Sequence, residues 1–155
     1  MRAALILLLS AIPAVSFAQG AGTIKRTNPD TLSTPTGYSH VVEVVGPAKI
    51  VYVAGQVARG KDGQMVGERD MKAQAEQVFK NLEAALAAAG AKFTDVVKMT
   101  TYTTDMSQSQ AIRDVRVRYF GATVPASTMV GVPTLANPAY MLEIEVIAAV
   151  AASKP

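Results

Sequence analysis

From Met71 the apolar positions Met71, Ala75, Val78, Leu82, Ala85 and Ala89 recur at spacings of three and four, which draws one stripe along a helix. Asp70 stands where a side-chain oxygen caps the start of such a helix, and Gly90 where a glycine closes its end. Ile112, Val115 and Tyr119 form a second stripe and predict a helix over about Ser109 to Phe120. Elsewhere the chain is dense in Val, Ile, Thr and Tyr. Tyr38 to Val45 and Ile50 to Gly55 read as strands, and Gly46-Pro47 between them predicts an antiparallel hairpin. Asp62-Gly63 marks a turn, Thr94-Asp95 opens another, and Val96 to Thr104, Ser127 to Val132 and Met141 to Ala149 read as further strands. The expected order is strands, helix, strand, helix, strands.

These strands are apolar on both sides. Ile50, Tyr52 and Ala54 point one way and Val51 and Val53 the other, while Val41, Val42, Val44 and Val45 supply both. Two helices on one sheet face leave the opposite face in water, where a large apolar patch invites association. Burial against sister subunits covers it most economically; the alternative cover is the polar arm Gln19 to Thr36.

The start of the chain has a different character. Arg2 precedes an apolar stretch, Ala3 to Val15, followed by the small residues Ser16 and Ala18. This pattern reads as a secretory signal peptide, residues 1–18, because an apolar run of about 13 residues is too short for a bilayer that needs about 20. The expected location is periplasmic or secreted, with no membrane attachment after cleavage. Residues 19–36 then form a loose N-terminal arm, 37–150 one domain and 151–155 a tail.

The formal charge is +3 and falls by one when Arg2 is removed; the remaining cations are scattered among acids, so no nucleic-acid footprint results. The absence of cysteine excludes thiolate chemistry and thiolate metal sites. His40 is the lone histidine, which gives neither zinc nor a Ser-His-Asp triad enough to work with, and no cofactor or metal is implied. Beside Tyr38 it reads as a hydrogen-bonded side chain and not a general base. Glu143 and Glu145 lie two apart on a strand and share a face, while Leu142, Ile144 and Val146 take the other. Such a pair suits acid-base work or intersubunit hydrogen bonds equally. Arg113 on the second helix and Arg59 in the loop after Gln56 could bind an anion, but arginines in such places usually sit in solvent.

Several short motifs occur in a telling order: Gly37-Tyr38-Ser39-His40, Ala54-Gly55-Gln56, Gln74 with Asn81-Leu82, Asp95-Val96-Val97-Lys98, Pro125-Ala126 and Leu142-Glu143-Ile144-Glu145. Together they resemble the signature of the Rid (YjgF, reactive intermediate deaminase) family, from about Gly37 to Val150. The resemblance implies an α+β, chorismate-mutase-like single domain: a mixed sheet with two helices on one face, assembled as a homotrimer with a barrel-like centre. Small-molecule clefts would lie between subunits. In deaminating members an arginine after Pro-Ala grips the substrate carboxylate, and a glutamate on the last strand positions the attacking water; both roles suit those groups chemically. Carried to this chain, the catalytic glutamate is Glu143, Tyr38, Gly55 and Gln56 line the cleft, and Ser127 stands at the arginine position. Arg113 occupies a place where many members have asparagine.

Two functions follow from the resemblance. One is an enamine or imine hydrolase, like 2-iminobutanoate/2-iminopropanoate deaminases, with weak or altered scope because Ser127 carries no charge. The other is a non-catalytic trimeric protein that binds small molecules in the intersubunit clefts. Export is the expectation tested most simply: a protein recovered from a secreting host should have the mass of a chain beginning at Gln19 or close to it, and a species retaining Arg2 would refute cleavage.

Overall fold

The computed structural model describes residues 21–152. The expected signal peptide lies outside them. Within them are strands β1 (Thr23–Thr27), β2 (Val41–Val45) and β3 (Ala48–Val57), helix α1 (Met71–Ala88), β4 (Val96–Thr103), α2 (Ser109–Phe120), β5 (Ala126–Gly131) and β6 (Leu142–Ala151). Four strands form a mixed sheet in the order β3-β6-β4-β5, in which β4 and β5 run parallel and the other pairs antiparallel. The parallel pair needs a crossover connection, and α2 supplies it. This is the expected α+β fold.

Both helices begin and end for local reasons. Asp70 accepts a hydrogen bond from the Ala73 amide at 3.0 Å, and Gly90, at φ +65°, lets the Ala91 amide return to the Leu86 carbonyl at 2.9 Å. Met71, Ala75, Val78, Phe79, Leu82 and Leu86 are the apolar side chains that α1 buries, so its stripe ends at Leu86 instead of Ala89. Facing them are Leu142, Ile144, Val146 and Ala148 of β6 and Met99 of β4. Between the helices Phe79 stacks on Tyr119, with centroids 5.0 Å apart.

Three sequence expectations need correction. The segments flanking Gly46-Pro47 do not form a hairpin: β2 pairs with β1, and β3 pairs with β6. Strand β2 also begins only at Val41, which leaves Tyr38 in the bend before it. Nor is the arm loose, since residues 23–27 within it are β1. Arg26 anchors that strand to the domain through the carbonyls of Val124, Thr94 and Val96 at 3.2, 2.9 and 3.2 Å. Partial burial lowers the Arg26 pKa, against the opposing pull of Asp95. Having paired with β2, the arm leaves β3 uncovered on the open sheet face: Ile50 remains 45% and Tyr52 77% exposed.

Gln74 and Asn81 hold loops in place. The fully buried Gln74 amide donates to the carbonyls of Gly67 and Ala139 at 3.1 and 3.0 Å and accepts from the Met141 amide at 2.8 Å. Asn81 donates to the carbonyls of Val57 and Arg59, fixing the end of β3 on α1. Removing the Gln74 amide leaves three partly buried backbone groups without their partner, so Gln74→Ala should cost about 2 to 3 kcal/mol. Urea unfolding checks this, with Lys80→Ala on an exposed part of the same helix as the control expected to cost under about 1 kcal/mol.

Candidate functional site

The crossover geometry of α2 opens a cleft of about 700 Å³ between that helix, β5 and the bend before β2. Tyr38 and Ser127 line it, and so does Arg113, so three of the expected site residues come together. Gly37, Met129, Asp114 and Arg116 complete the relevant wall. Ser127 pairs with Met99 across the parallel ladder, and Met99 is a core side chain; Ser127 therefore projects toward the helices.

Gly55, Gln56 and Glu143 are not part of this cleft. Glu143 pairs with Tyr102 on one side and Val57 on the other, one residue out of phase with the buried Leu142 and Ile144, and so stands on the face without helices. A bulge between Val53 and Gln56 brings the β3 backbone against it. The Glu143 carboxylate occupies the space a Cβ at position 55 would take, which explains why glycine stands there. Glu145 shares this face and accepts a hydrogen bond from the Tyr102 hydroxyl at 3.1 Å. That bond, with lesser contributions from desolvation and the two glutamates' charge, raises the Tyr102 pKa. The expected site is thus divided: the Tyr38, Arg113 and Ser127 group lies on the helix side of the sheet and the Gly55, Gln56 and Glu143 group on the other.

The remaining candidates have local partners. Arg59 donates to the Gly63 carbonyl at 2.8 Å and belongs to its own turn. His40 Nε2 lies 2.8 Å from the Ser33 carbonyl oxygen, and its ring meets Tyr38 edge-on at 5.2 Å. Arg113 is exposed and folds back along α2, donating to Ser109 Oγ at 2.8 Å and Gln110 Oε1 at 3.3 Å. Among the described residues no group of three or more His, Asp or Glu side chains could hold a metal.

Sequence reasoning missed Arg116. Its residue is only 9% exposed, and its guanidinium lies against Gly37, whose positive φ of 75° and missing Cβ leave the space for it. The signal was present: Ile112, Val115, Tyr119 and Phe120 mark the buried stripe of α2, and position 116 falls within it.

Comparison with known proteins fits this architecture. The model of the family described as Endoribonuclease L-PSP matches residues 29–150. The chain belongs to this family, the Rid/YjgF family. A RutC family protein of Pyrococcus horikoshii is 34% identical over 76% of this chain and 93% of its own. A 2-iminobutanoate/2-iminopropanoate deaminase of Dermatophagoides farinae is 34% identical over 71% of this chain and 83% of its own. The crystal structure of YyfB from Yersinia pestis, described as a protein of unknown function of the conserved Rid family, superposes with a TM-score of 0.76 at 36% identity, covering 82% of this chain and 98% of its own. For a Rid family chain, the division of the site between two sheet faces is the feature that bears most on function.

Proposed function

We propose that this chain is an exported Rid-type imine or enamine hydrolase of altered scope, working in clefts shared between the subunits of a homotrimer. One observation carries the reading: Ser127 and Glu143 lie on opposite faces of one sheet, so a site that uses both needs a second copy of the chain. The apolar part of the open face, where Ile50 and Tyr52 of β3 are exposed, gives those copies a surface to meet on. The similarity to the Dermatophagoides deaminase supplies the reaction class.

In that reaction water adds to the imine carbon, the carbinolamine collapses, and ammonia leaves behind a carbonyl compound. Glu143 would hold and deprotonate the water. Tyr38 and the backbone at Gly55 and Gln56 would bound the substrate. Ser127 offers one neutral hydrogen bond where an arginine would offer a charged fork, so substrates aligned by that fork react slowly. The alternative, a trimer that binds small molecules without transforming them, keeps the same cleft and drops Glu143's chemical role.

Sedimentation equilibrium should give the mass of three chains, and Tyr52→Glu, which places a charge on the open face, should dissociate them. A stable monomer at micromolar concentration would remove the shared site. Turnover is tested with 2-iminobutanoate generated in solution. Loss of a charge-assisted fork worth about 2 to 3 kcal/mol should leave the wild type roughly 30- to 150-fold slower than an arginine-bearing relative. Ser127→Arg should recover much of that rate, and adding Glu143→Gln should abolish the gain, whereas Glu145→Gln should cost less. A folded Ser127→Arg trimer with no turnover would favour the binding protein over the hydrolase.

A further inference from the structure

The cleft contains a buried cation without a partner among the described residues. Arg116 is nine-tenths buried, yet no side chain or carbonyl among the described residues accepts a hydrogen bond from it, and it forms no ion pair. Its nitrogens are not among the buried polar atoms sealed without a partner, so they retain access to the cleft that Arg116 lines. Burial lowers its pKa, and the like charge of Arg113 lowers it further. Asp114 also lines the cleft but accepts from Gln110 Nε2 at 2.7 Å and does not compensate Arg116. Within its own chain this desolvated guanidinium has no counter-charge, an unfavourable arrangement that an anion entering the cleft would relieve.

We propose that Arg116, assisted by Arg113, binds the carboxylate of a small organic acid in this cleft, taking over from helix α2 the anion-binding task for which Ser127 has no charge. The guanidinium fork matches a planar carboxylate through two parallel N–H bonds, and the Ser127 and Tyr38 hydroxyls on the same wall supply neutral donors. Gly37 is part of the device, because any side chain there would push the guanidinium away. This inference rests on the proposed hydrolase only for the identity of the acid. An anchor on α2 supplies affinity, whereas position 127 on β5 governs alignment for reaction, so changes at the two should separate KM from kcat.

Calorimetric titration of the full-length mature protein with 2-oxobutanoate, the carboxylate product of such an imine, tests the anchor without requiring turnover. Wild type should bind 2-oxobutanoate at least 10-fold more tightly than butanone, which lacks the carboxylate. Arg116→Met should lose that preference, Arg116→Lys should keep part of it through charge alone, and Arg113→Gln should weaken binding by a smaller factor. Thermal unfolding separates binding from architecture: ligand-free Arg116→Met should melt no lower than wild type, because an unpaired buried charge has been replaced by an apolar chain of similar length. An Arg116→Met protein that melts markedly lower, or binds 2-oxobutanoate like wild type, overturns the proposal. Inorganic phosphate binding more tightly than 2-oxobutanoate overturns the carboxylate assignment. Arg116-dependent binding in a protein without imine turnover would retain the anchor and reject the hydrolase; turnover with KM unchanged by Arg116→Met would do the reverse.

Discussion

Side chains alternate across a strand, and only one face of this four-stranded sheet is covered by helices; the rest of the structure depends on that asymmetry. Leu142, Ile144 and Val146 turn toward α1 and build the core, which obliges Glu143 and Glu145 to take the opposite face. In β5 the same rule sends Ser127 and Met129 toward α2 and leaves Thr128 to meet Lys98 across the ladder on the open side, at 2.6 Å. A shift of one residue in either strand would exchange these sets. The division of the site therefore follows from the core's own packing and cannot be removed by moving a side chain.

The helices were legible because their signals are local. Asp70, Gly90 and the stripe from Met71 specify α1 within the chain segment itself, and the boundaries of α2 match the expected Ser109 to Phe120. Strand partnership was less legible, since it depends on segments far apart. Gly46-Pro47 has the composition of a hairpin turn, but β2 finds its hydrogen bonds in β1, whose sequence Thr-Ile-Lys-Arg-Thr looks polar in isolation. Its stability comes from the β2 ladder and from Arg26 reaching three distant carbonyls, none of which a composition reading can detect.

The site was legible in its residue types and illegible in its arrangement. Tyr38, Ser127 and Arg113 do share a cleft, while Gly55, Gln56 and Glu143 form a separate group beyond the sheet. Periodicity should have drawn attention to Arg116, since a helix rarely places a guanidinium among Ile112, Val115, Tyr119 and Phe120 without a partner. The sequence reading considered Arg113 on the same helix and passed over Arg116. Arg113, whose kind of position usually sits in solvent, is indeed the exposed one of the two.

An unpaired charge at the base of a cleft links stability to occupancy. With the cleft empty, Arg116 bears the cost of desolvation and of repulsion from Arg113. A bound anion offsets both, so the occupied protein gains stability in proportion to the logarithm of ligand concentration over Kd. The same arithmetic favours anions over neutral molecules of equal size, because a neutral occupant would displace water from the guanidinium without replacing the lost hydration. If the trimer closes the cleft with a neighbour's face, lower access to water strengthens the attraction between guanidinium and anion and raises the cost of leaving that charge unanswered. The neighbour's Glu143, which the shared site would bring to the same cleft, acts the other way, so selectivity for an anion is set by the balance between that carboxylate and the cations Arg116 and Arg113.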